Sequence, residues 1–425
     1  MSGQLHVIGA GIAGLTSAFL AGRQGWRVSV HEASPQAGGR CRTIRRGGRS
    51  HDNGTHVLLG ANRAALQLLD AVGARDRWIE PEPAGLPIVD LPGSLVQIVG
   101  LSPWSWLGRR RRPAGVRVND LLRLAPRLWR SPQETVASAA GDSPGLTQLL
   151  ELMSAAVLNT PSAHGSARLL ARVFQQLLWP GNARLMVART GLGPDLVQPL
   201  QDAVLRQGQI HFGRRLQGIR QVDGRATALA FVGGNVLELG KEDRVIVAIP
   251  PQAASLALPD LEVPTNFEPI VNLHFPHEGR GPVRFIGLTG GLAQWMLVRP
   301  GMISITISAA GGVVDEPAAN LAARVWPEVD ATARRCGIEI TGAGAERVSV
   351  VKERMATPRQ DPAYLLAGPP ERQPLANLAL AGDWTTRLPA TIEAAVQAAH
   401  AAVGAVGRHI QSSGTLRTVE REVTA

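Results

Sequence analysis

Apolar residues along this chain fall into two patterns. Short runs at residues 5–8 (LHVI), 27–30 (RVSV), 244–249 (RVIVAI) and 378–381 (LALA) are too short for helices and read as strands buried in a sheet. Between the first two, an apolar helix pattern passes through Ala18, Phe19 and Leu20 toward Gly22 and Gly25. Residues 62–72 read as an amphipathic helix, 195–206 and 321–336 as helices, and 391 onward as a long one, with a break expected at Pro327. Residues 146–158 and 166–179 form two apolar helices joined by Asn159-Thr160-Pro161-Ser162. Residues 209–212 return as a strand, and the turns Asp223-Gly224 and Gly233-Gly234 mark a small antiparallel meander that begins near Leu216. Runs at 269–275, 283–287, 295–298, 302–309 and 347–354 predict an antiparallel sheet. Residues 86–100 alternate strand-like runs with proline and glycine breaks, as at a crossing into a second domain, and 412–425 are polar and expected to fray.

The first strand, helix and second strand enclose Gly9, Gly11 and Gly14, spaced G-x-G-x-x-G, and Glu32 stands at the tip of the second strand, 18 positions past Gly14. That order is the dinucleotide-binding βαβ unit. Gly9 suits the tight turn, Gly11 lets a pyrophosphate approach the backbone, and Gly14 lets helix and strand pack closely. Free N–H groups at the helix start, around Ile12 and Ala13, face the phosphates. Glu32 is expected to accept from ribose hydroxyls and to repel a 2′-phosphate. A second glycine turn, Gly38-Gly39-Arg40 followed by Arg42, can wrap the far side of a pyrophosphate and reach toward a flavin, which points to FAD; standing alone, it would read as a surface turn with solvated arginines.

Composition narrows the rest. The 425 residues allow two domains, and 44% hydrophobic against 18% charged content describes a globular chain. A net charge of +10 favours anionic partners. Trp104 and Trp106 stand beside Arg109, Arg110, Arg111 and Arg112, a pairing that suits a lipid headgroup interface and a solvated basic loop equally. One basic cluster without a nucleic-acid-binding signature makes nucleic acid the poorer partner. Cys41 and Cys336 offer neither zinc spacing nor a disulfide framework, so no metal site and a reducing, cytoplasmic compartment are expected. A strand begins by residue 5, so no secretory signal is expected. No run of 18 apolar residues is present to span a bilayer, and peripheral contact with the cytoplasmic membrane surface stays open. His56, in the block HDNGTHVLLG, is the imidazole of that neighbourhood able to move a proton near pH 7; the alternative is a histidine satisfied by backbone partners.

The N-terminal run resembles the signature of the flavin amine oxidase and phytoene desaturase superfamily. HDNGTHVLLGANRAALQLLDAVG is similar to the D-N-G-x-H-x-L-L-G segment of hydroxysqualene dehydroxylases. That family more often has Gln at Thr55 and Tyr at Asn62, positions expected on the substrate side. The turn Leu158-Asn159-Thr160-Pro161 and the closing LAGDWTTRLPATIEAA resemble the same subgroup, although Ala394 stands where many members have Gly. The resemblance implies an α/β fold: a doubly wound Rossmann-type FAD domain from residues 1–85, 200–258 and 375–412, and an inserted α+β substrate domain with a helical cap from 86–199 and 259–374, leaving 413–425 as a flexible tail. It implies that Gly9, Gly11, Ile12, Ala13, Gly14, Glu32, Gly39, Arg40, Arg42, Gly54, Thr55, His56, Leu216, Gly382, Asp383, Thr391 and Ile392 contact FAD. It also implies reductive removal of the hydroxyl of hydroxysqualene to give squalene, with His56 as the proton donor, oriented by Asp52. The partner is then a long-chain isoprenoid, and the flavin needs an electron donor that the sequence does not name.

Two other readings use the same cradle. Hydride flow in the opposite sense would make the protein a polyene desaturase or an amine oxidase, the latter disfavoured by a single tyrosine. A flavin-free prenyl-binding protein of this fold, resembling GDP dissociation inhibitors, is the non-enzymatic alternative; the intact set Glu32, Gly38-Gly39-Arg40 and Asp383 speaks against it.

Overall fold

A computed structural model of the chain describes residues 3–46, 48–93 and 95–412. The expected flexible tail, 413–425, lies outside the described residues.

The short apolar runs assemble into one five-stranded parallel sheet. Its order is Gly208–His211, Arg27–His31, Gln4–Ile8, Arg244–Val247, Leu378–Leu380. Alternation along each strand separates two cores. Leu5, Val7 and Val30 pack under the helices Ile12–Arg23, Gln198–Leu205 and Ile392–Ser412, while Ile8, Val245 and Val247 pack against a three-stranded meander through Leu229 and Phe231. The meander is Leu216–Val222, Arg225–Phe231 and Val236–Glu238.

A second sheet has seven strands in the order Ser349–Pro358, Phe267–Pro276, Met302–Ile307, Trp295–Arg299, Arg284–Thr289, Leu86–Asp90, Val96–Val99. It is antiparallel except where Arg284–Thr289 meets Leu86–Asp90. The segment 86–100 is therefore an edge hairpin of this sheet. Helix Ala318–Arg335 covers one face and runs unbroken through Pro327, contrary to the expected break. Its stripe Leu321, Ala322, Val325 and Val329 packs on the sheet, and Pro327 sits on the exposed side, so tertiary packing outweighs the one hydrogen bond that the proline removes.

Two apolar helices, Pro144–Leu158 and Ala167–Leu177, form a separate layer together with Val118–Leu128 and Val136–Ala140, which the apolar pattern alone did not reveal. Pro at the first turn and the Ser143 hydroxyl accepting from the Leu146 N–H start the first of them. Asn159 ends it in the left-handed conformation and donates its buried amide to the Glu268 carbonyl and the Thr357 hydroxyl, at 3.1 and 3.0 Å. The helical layer is thereby tied to the seven-stranded sheet. No helix among the described residues is long and apolar enough to cross a membrane.

Two histidines are held neutral by their surroundings. His31, stacked on His211 and beside the tilted His6 ring, has its pKa lowered to about 3 by burial and by those neighbours. Burial, His51 and Arg299 lower His274 to about 3 as well. The unfolded chain takes up these protons near the ordinary 6.5 and the folded chain does not, so stability is full above that pH and falls as pH drops from 6.5 toward 3. Urea unfolding at stepped pH is expected to show this fall, and His31→Gln to flatten part of it; a midpoint independent of pH across that window contradicts the assignment.

Candidate active site

The two glycine turns meet each other. The Gly38 N–H donates to the Ala10 carbonyl at 2.8 Å, and Gly11 and Gly38 form an isolated parallel bridge. Gly14 has no room for a side chain, since a Cβ there would lie 1.8 Å from the Gly9 carbonyl oxygen. A Cβ on Gly11, by contrast, would meet nothing within 4 Å. The first glycine fixes the helix on its strand; the second leaves open space at the helix N-terminus, where Ile12 and Ala13 begin the first turn.

Glu32 is buried. One of its oxygens accepts from the Ala10 N–H at 2.6 Å and the other from the Ser34 N–H and hydroxyl at 2.8 and 2.5 Å. The carboxylate therefore braces its own turn, with lone-pair capacity left for hydroxyl donors. The loop leading to Leu216 runs alongside it, the Arg214 N–H donating to the Glu32 carbonyl at 2.7 Å.

Residues distant in sequence close the cradle. Arg40 pairs with Asp383 at 2.7 Å and also donates to the Ala356 carbonyl at 2.6 Å. Asp383 accepts from the Trp384 N–H as well. Gly382 has φ +144, and a Cβ there would lie 2.8 Å from the Trp384 indole nitrogen. Arg42 folds back on its own turn and donates to the Gly39 carbonyl at 2.9 Å. Thr391 caps the final helix by accepting from the Ala394 N–H, and Glu393 accepts from the Ala64 and Ala65 N–H groups, pinning helix Arg63–Ala71 beside it.

Three expectations need correction. Asp52 does not orient His56. Its carboxylate is buried, pairs with Arg299 at 3.0 Å, and accepts from the Leu192 N–H at 2.9 Å and the Thr43 hydroxyl at 3.2 Å. Asn62 does not keep its side-chain oxygen for a substrate; that oxygen accepts from the Leu59 N–H and closes a local turn. Trp106 does not share a surface with the arginines, although its carbonyl accepts from Arg112. It is 3% exposed, its indole N–H donates to the Gly100 carbonyl, and its ring packs edge-on to Phe174.

His56 stands next to Cys41, with Nδ1 3.3 Å from the Gly54 carbonyl oxygen. Burial lowers its pKa, but the Cys41 sulfur and that carbonyl outweigh burial and the Arg40 charge, and the net shift is upward. Gly54 lies under Asn272, whose amide donates to the Asn53 carbonyl and accepts from Thr306. Thr55 follows, half-buried. Two polar atoms here are buried without a protein partner: Asn53 Oδ1 and the Tyr364 hydroxyl, whose pKa burial and then Asp383 push up. The sequence reading missed Cys41's role beside His56, Arg299 and Tyr364. Of these, the sequence marked Tyr364 as the single tyrosine and Cys41 by its place after the Gly-Gly-Arg turn. Among the described residues no group of acids, histidines or cysteines is placed to hold a metal ion.

Open space over Gly11, backbone donors at a helix start, a buried carboxylate at the tip of the second strand and two unpartnered polar atoms fit a flavin dinucleotide. The family model described as flavin containing amine oxidoreductase matches residues 12–279. A hydroxysqualene dehydroxylase of Rhodopseudomonas palustris is 36% identical over 96% of this chain and 99% of its own length. One of Sinorhizobium fredii is 34% identical over 95% and 98%. A solved putrescine oxidase bound to putrescine shares the fold, with TM-score 0.69 at 15% identity over 95% of this chain and 99% of that one. The chain belongs to the flavin-containing amine oxidoreductases and, within them, to the hydroxysqualene dehydroxylase family. Its cofactor is FAD.

The Asp52–Arg299 pair joins the segment before His56 to the seven-stranded sheet. Arg299→Met leaves a buried carboxylate unpaired and is expected to destabilise the protein by about 3 kcal/mol. Asp52→Asn/Arg299→Met should recover part of the loss in urea unfolding. A single variant as stable as the parent contradicts the pairing.

Proposed function

We infer that this chain reductively removes the hydroxyl of hydroxysqualene to give squalene. The observation that carries the reading is near full-length similarity to relatives of that name, combined with a histidine whose pKa is raised at the cofactor cradle. The residues that would hold FAD are the glycine turns with Ile12 and Ala13 at the pyrophosphate, Glu32 at the ribose, Leu216 near the adenine, and Arg40, Arg42, Gly54, Thr55, Gly382, Asp383, Thr391 and Ile392 toward the flavin. Reduced FAD supplies the hydride.

The substrate hydroxyl is allylic, so its departure as water leaves a delocalised cation. Hydride closes the new C–H bond, and a proton must reach the departing oxygen. His56 is the donor we assign. Its raised pKa keeps the imidazolium at pH values where an ordinary histidine has lost its proton. Cys41 and the Gly54 carbonyl hold that proton and take the orienting place expected of Asp52. The apolar helical layer over the sheet keeps water from the cation. Lipid substrates of this class dwell in membranes, and we place the protein at an anionic membrane surface, with a separate reductant feeding the flavin.

Anaerobic incubation of reduced holoenzyme with hydroxysqualene is expected to yield squalene by mass analysis. Recovery of unchanged substrate would remove the reading. His56→Ala should stay yellow and lose at least about a hundredfold in rate. In the parent the rate should fall as pH rises through a value above 6.5, and this limb should vanish in the variant. Unchanged turnover in His56→Ala removes His56 from the mechanism.

A further inference from the structure

Exposed apolar side chains concentrate in one stretch. Leu95, Trp104 and Leu107 are 50%, 62% and 51% exposed, and Val96 and Ile98 are exposed beside them on the edge strand of the seven-stranded sheet. The loop is rigidly seated. Trp106 anchors it from within, Arg112 donates to the Trp106 and Leu107 carbonyls, and Gln97 donates to the Arg112 carbonyl. Helix Val118–Leu128 follows, burying Leu124 and Leu128 and presenting Leu122 and Arg123 to solvent.

Charge in the same stretch is of one sign. Residues 95–130 contain eight arginines and one acid, Asp120. Asp120 is held at its own helix start by the Arg117 N–H and the Ser143 hydroxyl. Arg109, Arg110 and Arg123 are exposed, and among the described residues no carboxylate forms an ion pair with them. Exposed tryptophan and leucine set among unpaired arginines complement a surface that is apolar below and anionic above.

Behind this stretch lies an apolar cavity of about 130 Å³, between the hairpin Leu86–Asp90 and Val96–Val99 and the helix Pro144–Leu158. Leu149, Leu152, Met153 and Trp295 are among the residues that line it. Leu95 and Ala114, both exposed, line its mouth. The cavity therefore opens at the cationic, apolar face. Its lining strand Trp295–Arg299 is two strands removed from Phe267–Pro276, where Asn272 lies over Gly54. A chain held at His56 could extend along the sheet toward it.

We propose that residues 95–123 are a docking face for an anionic lipid bilayer, with Trp104 and Leu107 inserted among headgroups and Arg109, Arg110 and Arg123 against their phosphates, so that the cavity mouth opens onto the lipid. The lipid partner rests on the chemistry of this face; its use as a substrate portal rests on the dehydroxylase reading.

The test is sedimentation of the full FAD-loaded protein with vesicles of phosphatidylcholine, with and without added phosphatidylglycerol. The protein should pellet with the anionic vesicles, stay in solution with the neutral ones, and be released by salt. Trp104→Ala/Leu107→Ala and Arg109→Glu/Arg110→Glu should each weaken binding at least about tenfold, with unchanged flavin spectrum and melting temperature. Both variants should turn over detergent-dispersed hydroxysqualene like the parent and lose rate on substrate embedded in vesicles. No binding to either vesicle, equal binding to both, or variants that bind like the parent overturn the proposal. If no squalene forms under any condition, the dehydroxylase reading fails, while the vesicle result still decides the docking face.

Discussion

One guanidinium ties the cradle together. Arg40 leaves the second glycine turn, meets Asp383 more than 300 positions later, and reaches the Ala356 carbonyl at the end of the outer strand of the seven-stranded sheet. Three segments that share no local signal are thereby held at fixed separation. A cofactor that lies along the glycine turns and ends against the last helix needs that separation to be constant. Arg40 is partly open to solvent, so its contribution is geometry more than energy.

The floor and roof of the site are made by different chemistry. The floor is a network of satisfied polar groups, including Glu32 on Ala10 and Ser34, Asn272 on Asn53 and Thr306, and Asp52 on Arg299. The roof is leucine-rich helix anchored by Asn159 and by Gln360, whose buried amide links the Leu158 carbonyl to the Ala390 N–H just before the final helix. The cap turn and the start of the last helix therefore share one fixed side chain. A buried network of this kind is costly when half made and rigid when complete. That suits a site that must hold a greasy chain still while a polar group leaves it.

What was legible in the sequence is what is local. The βαβ unit, the meander turns and the paired apolar helices follow from period, length and turn residues, because each is decided within a few neighbouring positions. Apart from Asn62, which is claimed by the Leu59 N–H three positions away, the misreadings involve partners far along the chain. Asp52 lies close to His56 in sequence, yet its partner Arg299 is 247 positions away and no spacing links the two. Trp106 lies among arginines in sequence, but its ring is claimed by Phe174 in the helical layer. Pro327 breaks helices in isolation, and here the sheet beneath keeps the helix whole. The role of Cys41 beside His56 depends on the hairpin Thr43–Arg46 and Arg49–Asp52, which returns the chain to the glycine turn with the Asn53 N–H on the Arg42 carbonyl, and residue type alone does not encode that return.

The central claim is the direction of hydride flow: from the flavin to carbon, with a proton from His56 to the departing oxygen. An anaerobic single-turnover mixing experiment tests it most directly. Pre-reduced, colourless holoenzyme is mixed with hydroxysqualene while absorbance is followed. The account predicts that the yellow colour returns in proportion to substrate consumed, more slowly as pH rises. Enzyme that stays colourless with hydroxysqualene, while its oxidised form is bleached by a polyene or an amine, would contradict it.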